Sequence, residues 1–344
     1  MSDGTAAGAA DVPVPSALRI GTRASALALA QSGQIGEAIA AHLPGGGAVE
    51  LVHVSTHGDR DRTSPLAQIG GTGVFVTAVR EALAAGEVDV IVHSAKDLPT
   101  LPAVGIAIAC VPPREDVRDA LCARDGLTLA DLPAGARVGT GSPRRAAQLL
   151  RARPDLEVVA IRGNVDTRLA RAQGPDADLD AVVLAAAGLR RLGRDAAITE
   201  LLDPAVMLPA PAQGALAVEA RTADVEGSDA DTRSDLAHAL AAADDPASRA
   251  AITAERALLR TLEAGCSAPV AALGTVANGT LSLRALAISP DGADAIEGTL
   301  EAAIDLDAPR ATLAMTAADL GARLAADLLE RGAGAILAAA GEGA

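Results

Sequence analysis

Apolar and polar positions repeat along this chain with two periods, and the switches between them outline its architecture. Leu18–Gly21 is short and apolar, as in a buried strand. Ala24–Leu43 carries apolar residues at helical spacing until Pro44 and a glycine run stop it. Val49–Ser55 alternates as a strand, Val74–Ala85 returns to the helical period, and Val88–His93 and Val104–Val111 read as strands. Between them, Thr56–Gly73 is polar, Gly-rich and longer than an ordinary connection, which marks it as a functional or mobile loop.

The pattern breaks at Pro112-Pro113-Arg114-Glu115-Asp116 and restarts. Strands are expected at Arg137–Gly139, Leu156–Ile161 and Asp180–Leu184, with helices at Pro143–Ala152 and Val165–Gln173. A second Pro-rich crossing, Pro209-Ala210-Pro211, leads into Ala215–Glu219, a strand that would return to the first lobe. Pro246–Leu262 reads as a helix. Val270–Val276, Leu281–Ile288 and Ala295–Ile304 then resemble a small sheet closed by a helix over Ala311–Leu329. The expectation is an α/β protein of three domains: 17–113 with 214–241, 118–208, and an α+β domain over 247–341, after a disordered tail at 1–16. Two crossings between two α/β lobes imply a hinged pair with a cleft between them.

Composition narrows the chemistry. Half of the 344 residues are hydrophobic, yet there is no Trp, no Tyr and one Phe, so the cores must be aliphatic. A net charge of −15 repels nucleic acid phosphates and anionic lipid, so no nucleic-acid partner is expected. No apolar run is long enough to span a membrane, and the N-terminal stretch has neither a basic n-region nor an Arg, so no membrane or secretory role is expected. Cys110, Cys122 and Cys266 form no metal-ligand spacing and leave one thiol unpaired. That fits a reducing, cytoplasmic setting with no metal.

Arginines stand where helices begin. Thr22-Arg23-Ala24-Ser25, Thr140-Gly141-Ser142-Pro143-Arg144-Arg145 and Arg162-Gly163-Asn164 each follow a strand. Ser142 is suited to cap a helix, and Pro143 to its first position. Arg144 and Arg145 then fall in the first turn, where the helix dipole disfavours cations by roughly 0.3–1 kcal/mol each. An anionic ligand bound by backbone N–H groups and guanidiniums together would justify them. Solvated surface or ordinary ion pairs are the plainer alternative for any one of them. A basic RNA-binding helix is disfavoured by the acidic total and the lack of stacking aromatics.

Three single residues add chemistry. Asp97 lies just past the strand Val88–His93, beside Lys96, where a carboxylate can transfer protons and offset a developing cation. A structural Asp–Lys turn is the alternative. Cys266 sits in a turn between Gly265 and Pro269, a candidate nucleophile or attachment point unless it is an incidental thiol. Phe75, the only aromatic, follows the glycines of the long loop and either contacts a flat ligand or merely starts a helix.

Eight segments in order, RIGTRASALALAQ (Arg19–Gln31), GGTGVFV (Gly70–Val76), VHSAKDLP (Val92–Pro99), GTGSPRRAAQL (Gly139–Leu149), IRGNVDTRL (Ile161–Leu169), AGLRRLG (Ala187–Gly193), PAQGALAVE (Pro211–Glu219) and LEAGCSAPV (Leu262–Val270), resemble the porphobilinogen deaminase (hydroxymethylbilane synthase) family from Leu18 to about Leu337. The resemblance implies two type II periplasmic-binding-protein-like lobes and a small C-terminal domain. It implies a dipyrromethane held by a thioether at the position of Cys266, and a catalytic aspartate at Asp97. Arg23, Arg144, Arg145, Arg162, Arg168 and Arg191 match arginines that grip acetate and propionate groups. Ser25, Lys96, Thr140, Ser142 and Gln213 match other cleft positions, and Phe75 an aromatic at the substrate site. The implied reaction joins four porphobilinogen molecules into a linear tetrapyrrole, each losing ammonia to give an azafulvene cation. A monomer is expected. The chain departs from some members at Gln68 and Thr72, where they carry Lys, and at Ala95, where a larger apolar residue is common. Two rivals stand beside this: a carboxylate-binding protein without catalysis, and a phosphate-handling enzyme, for which no GKS/GKT-type motif follows the glycines.

Overall fold

The computed structural model describes residues 17–54, 72–225, 234–264 and 268–342. The expected tail 1–16, nearly all of the expected loop Thr56–Gly73, and Cys266 lie outside the described residues, as does the side chain of Phe75.

The chain opens with β1 (Leu18–Thr22), α1 (Ala26–Ala40), β2 (Val49–His53), α2 (Thr72–Ala84), β3 (Val90–Ser94) and β4 (Ile106–Cys110). It continues through β5 (Asp119–Ala123), β6 (Arg137–Thr140), α3 (Pro143–Ala152), β7 (Glu157–Ala160), α4 (Val165–Gln173), β8 (Ala181–Ala185), α5 (Ala186–Arg191) and β9 (Glu200–Leu201). It then gives β10 (Leu216–Arg221), α6 (Thr222–Val225), α7 (Asp235–Ala242) and α8 (Pro246–Thr261). The last part holds β11 (Val270–Ala277), β12 (Thr280–Ile288), β13 (Ala295–Ala303), α9 (Arg310–Glu330) and α10 (Ala333–Glu342).

Two five-stranded sheets share one plan. The first runs β2-β1-β3-β10-β4 and the second β7-β6-β8-β5-β9. In each, one strand from across a crossing enters antiparallel as the fourth of the order: β10 between β3 and β4, and β5 between β8 and β9. That order, with the inserted strand antiparallel, is the type II periplasmic-binding-protein arrangement. The expected return strand is thus β10, paired in the first sheet. Strand β5 was not expected from the sequence. It is fully buried, but it is only five residues long, opens on Asp119 and follows a charged run, so no period announces it. The short β9 and the helices α5, α6, α7 and α10 were likewise not foreseen.

The two crossings pack side by side. Gly214 has φ of +85°, and a Cβ there would stand 2.5 Å from the Glu115 carbonyl, so only glycine lets the strands approach this closely. The third sheet is an antiparallel meander, β11-β12-β13, whose first hairpin turns on Asn278-Gly279 with both residues at positive φ. Its aliphatic core takes Leu281 and Leu283 from β12, Leu258 from α8 and Leu320 and Leu324 from α9, as a chain short of aromatics requires.

This third part touches both lobes, the first through Ile252 of α8, which shares a core with Val76, Ala95 and Leu98. Ala271, Leu286 and Ile288 share a core with Ala147 of α3 and Leu208, and the Ala272 N–H donates to the Pro209 carbonyl at 3.1 Å. The β12–β13 turn also sits against α3: a Cβ on Gly292 would lie 2.5 Å from the Ala147 carbonyl.

Candidate active site

The end of β3 runs into a single 3-10 turn, Ala95–Asp97. Asp97 is exposed and has no hydrogen-bond or ion-pair partner among the described residues. Its side chain accepts no capping bond from the turn. The Lys96 Nζ, within electrostatic reach of Asp97, donates to Gln213 Oε1 at 3.2 Å.

Gln213 is fully buried in the second crossing, and its Nε2 donates to the Val117 carbonyl at 2.9 Å and to Asp119 Oδ1 at 2.8 Å. Asp119, also fully buried, opens β5. Arg145 clasps it with Nη2 at 2.7 Å and Nε at 3.0 Å, and Arg144 Nη2 lies 2.8 Å from its other oxygen. A continuous polar chain, Lys96–Gln213–Asp119–Arg144/Arg145, thus links the turn bearing Asp97 to the second lobe.

Its electrostatics favour an incoming anion. Burial alone would push the Asp119 carboxyl up, but the Arg144 and Arg145 guanidiniums, with hydrogen bonds from Arg145 and Gln213, hold it far below the usual carboxylate range. Burial lowers Arg144 from its ordinary value. Burial, then Arg145, pull Lys96 down to about 8 against the opposing pull of Asp97 and Asp119. One interior carboxylate facing two guanidiniums and an ammonium leaves a positive excess.

More cations converge here. Gly141 fits so closely under the Ile161 carbonyl that a Cβ would be 2.6 Å from it, and the same Cβ would be 3.9 Å from Arg168 Nη2. This joins the turn carrying Thr140 and Ser142 to the Arg162–Arg168 segment. Burial lowers Arg168 from its ordinary value, with Arg145 adding repulsion, and its buried Nε meets no acceptor among the described residues. Arg162 is exposed beside it. Arg191 Nη2 donates to the Gly214 carbonyl at 2.7 Å, and burial lowers it too.

Not every expectation took the form foreseen. Ser142 stands at the N-cap of α3, but its side chain makes no capping bond; its own N–H instead donates to Thr140 Oγ1 at 3.2 Å. Ser25, by contrast, caps α1 by accepting from the Ala28 N–H at 3.2 Å. Arg23 is half-buried at the end of β1. Arg144 and Arg145 were expected to face a ligand anion. They are buried and already share an internal one, Asp119, which was missed because β5 was missed. Glu255 and Arg256, on α8, also escaped notice. Their spacing within an ordinary amphipathic helix carries no signal.

Two α/β lobes joined by paired crossings, with a carboxylate that has no hydrogen-bond or ion-pair partner among the described residues beside a surplus of buried cations, define a two-lobed protein suited to anionic ligands. Comparison with known proteins makes the family particular. Residues 18–229 match the model of the porphobilinogen deaminase dipyrromethane cofactor-binding domain, and residues 250–330 the porphobilinogen deaminase C-terminal domain. Porphobilinogen deaminase of Leifsonia xyli subsp. xyli is 53% identical, covering 92% of this chain and 93% of the relative. That of Acidothermus cellulolyticus is 51% identical (94% and 92% covered), and that of Cutibacterium acnes 52% identical (92% and 96% covered). The chain belongs to the porphobilinogen deaminase family. It is accordingly a transferase of tetrapyrrole biosynthesis with a dipyrromethane cofactor. Among solved structures, a YaeC-family lipoprotein from Enterococcus faecalis V583 aligns with a TM-score of 0.37 at 15% identity, covering 67% of this chain and 91% of that one.

Proposed function

We propose that Asp97 is the catalytic carboxylate and Cys266 the cofactor attachment point, and that the arginines of the second lobe hold the carboxylates of cofactor and substrate. The observation that carries this reading is the pairing of an exposed Asp97, without a hydrogen-bond or ion-pair partner among the described residues, with a buried cation surplus joined to its turn through Lys96, Gln213 and Asp119. A dipyrromethane bearing acetate and propionate groups fits that surplus, and the buried Arg168 Nε still lacks an acceptor among the described residues. Arg144, Arg145, Arg162, Arg168 and Arg191 would hold it, with Arg23, Ser25, Thr140, Ser142 and Gln213 around them and Phe75 against the substrate ring. When bound, the cofactor supplies the free pyrrole carbon at which the chain is extended.

Asp97 protonates the leaving amine of porphobilinogen, then faces the cation that loss of ammonia leaves behind, and finally accepts the proton displaced when the new bond forms. Lys96, tied to Gln213, holds a substrate carboxylate next to that proton traffic. The reading includes a cytoplasmic monomer and domain limits at 17–113 with 214–241, 118–208 and 247–341. A net charge of −15 supports the absence of a nucleic-acid partner. No described helix is long and apolar enough to cross a membrane.

The test is paired. The intact mass of the wild type should exceed the sequence mass by one dipyrromethane, and Cys266→Ser should remove that increment. Asp97→Asn should fold and retain substrate, but form hydroxymethylbilane with kcat lower by at least about 10³-fold. An active wild type of unmodified mass sinks the role of Cys266. Elongation by cofactor-loaded Asp97→Asn within about tenfold of wild type sinks that of Asp97.

A further inference from the structure

Arg256 projects from α8 onto the turn that carries Asp97. Its Nη1 donates to the carbonyls of Leu98 at 3.0 Å and Ala95 at 3.3 Å, and its Nη2 to the carbonyl of Pro99 at 2.6 Å. Those three carbonyls bracket Lys96 and Asp97. The turn's own backbone hydrogen bonds are few, although Ala95 and Leu98 are buried in a core with Ile252 of α8. The Ala95 N–H reaches the Ala215 carbonyl at 3.0 Å, and a long 3.3 Å bond from the Leu98 N–H to the Ala95 carbonyl closes it. The Asp97 carboxylate has no partner among the described residues, so its direction must come from the backbone beneath it. A planar guanidinium with several donors in fixed directions can pin three carbonyls at once, whereas an ammonium presents a point charge.

The arm itself is rigid. Its neighbour Glu255 is fully buried and accepts from Arg114 Nη1 at 2.6 Å, from the Gly274 N–H at 2.7 Å and from the Ala212 N–H. Those bonds fix α8 against both crossings and the third sheet. The same helix ends at Thr261, and Cys266 follows within five positions of sequence.

We infer that Arg256 is a positioning residue: it locks the Asp97 turn to the helix that leads to Cys266, and so sets where the carboxylate stands relative to the growing chain. The inference rests on the roles given above to Asp97 and Cys266. It assigns Arg256 no contact with substrate. Its effect must therefore pass through Asp97 and fall on kcat rather than on KM.

The experiment uses full-length wild type, Arg256→Gln, Arg256→Lys, Asp97→Asn and the double variant Arg256→Gln/Asp97→Asn, each first weighed intact to establish cofactor loading. Arg256→Gln is expected to keep the cofactor and a KM within about threefold, while kcat falls about 10²-fold, the scale of an ångström misplacement of a reacting group. Arg256→Lys should recover part of that loss. In the Asp97→Asn background, Arg256→Gln should cost less than about threefold more, because the group it positions is already gone. Wild-type kcat in Arg256→Gln, with only a lowered melting temperature, overturns the inference, as do fully multiplicative losses in the double variant. If Arg256→Gln does not fold, Arg256→Lys decides: a lower kcat at unchanged KM supports positioning, and an unchanged kcat overturns it. A near-wild-type Asp97→Asn would sink the role of Asp97 and this inference together. A crippled Asp97→Asn beside a normal Arg256→Gln would sink this inference alone.

Discussion

At the residue scale, the site is organised around an anion the protein supplies itself. Arg144 and Arg145 sit against the helix dipole because Asp119 is already between them, and the surplus charge is what a ligand meets. The arginines therefore divide by burial. Arg144→Leu removes one of the guanidiniums clasping a fully buried carboxylate and a bond to the Leu208 carbonyl, so it should cost both cofactor retention and about 3–5 kcal/mol of stability. Arg162→Leu, at an exposed position, should weaken carboxylate binding while changing stability by less than about 0.5 kcal/mol. Thermal melts beside intact-mass spectra separate the two cases. A stable Arg144→Leu that keeps its cofactor would argue against the buried cluster.

Lys96 gives the residue scale a pH dependence. Burial and Arg145 bring its pKa from 10.5 down to about 8, so the folded protein releases this proton before the unfolded chain does. The strain of burying the charge is present below about pH 8 and relieved as pH rises from 8 towards 10.5, so this residue adds stability in that window. Carboxylate binding runs the other way, because it needs the charged form. KM for porphobilinogen should rise as pH passes about 8. Lys96→Arg, charged throughout, should flatten that rise. A wild-type KM that is level across this range would show that Lys96 does not hold the substrate.

At the scale of elements, helix α3 is gripped from two sides. Its first turn joins the site through Arg144 and Arg145, and its last turn meets the β12–β13 turn at Gly292, where φ is +77° and a Cβ would be 2.5 Å from the Ala147 carbonyl and 2.7 Å from the Arg151 nitrogen. Gly292→Ala should therefore cost about 1–3 kcal/mol from overpacking on top of backbone strain. Gly279→Ala is the control, since it has a similar φ of +71° but no neighbour closer than 3.8 Å. Denaturant titrations of both variants should show Gly292→Ala the less stable. Equal losses would mean that the turn does not press on α3.

At the scale of the molecule, Glu255 is where the parts meet. It joins Arg114 of the first crossing, Ala212 of the second and Gly274 of the third sheet. Glu255→Gln leaves the Arg114 guanidinium, nearly buried, without its counter-charge, and should cost about 3–5 kcal/mol. For a chain of this size that is a fall of roughly 4–7 °C in melting temperature, measurable by calorimetry. A melting temperature within a degree or two of wild type would show that the crossings are held by other contacts.

The sequence by itself determined the elements whose apolar pattern is clean: the helices α1, α3, α4, α8 and α9, the core strands β1, β3, β6 and β8, the return strand β10, and the third sheet. Their burial pattern is local, so it is written in consecutive residues. It also placed arginines at strand-to-helix turns, and the ordered motifs around them carried the family. What only the tertiary structure decided was pairing at a distance. Asp119 is separated from Arg145 by 26 positions, and Arg256 from Leu98 by 158, and no local pattern encodes either contact. Strand β5 draws its burial from β8 and β9, not from any alternation of its own, so both the strand and the carboxylate it carries became visible only once the second sheet closed around them.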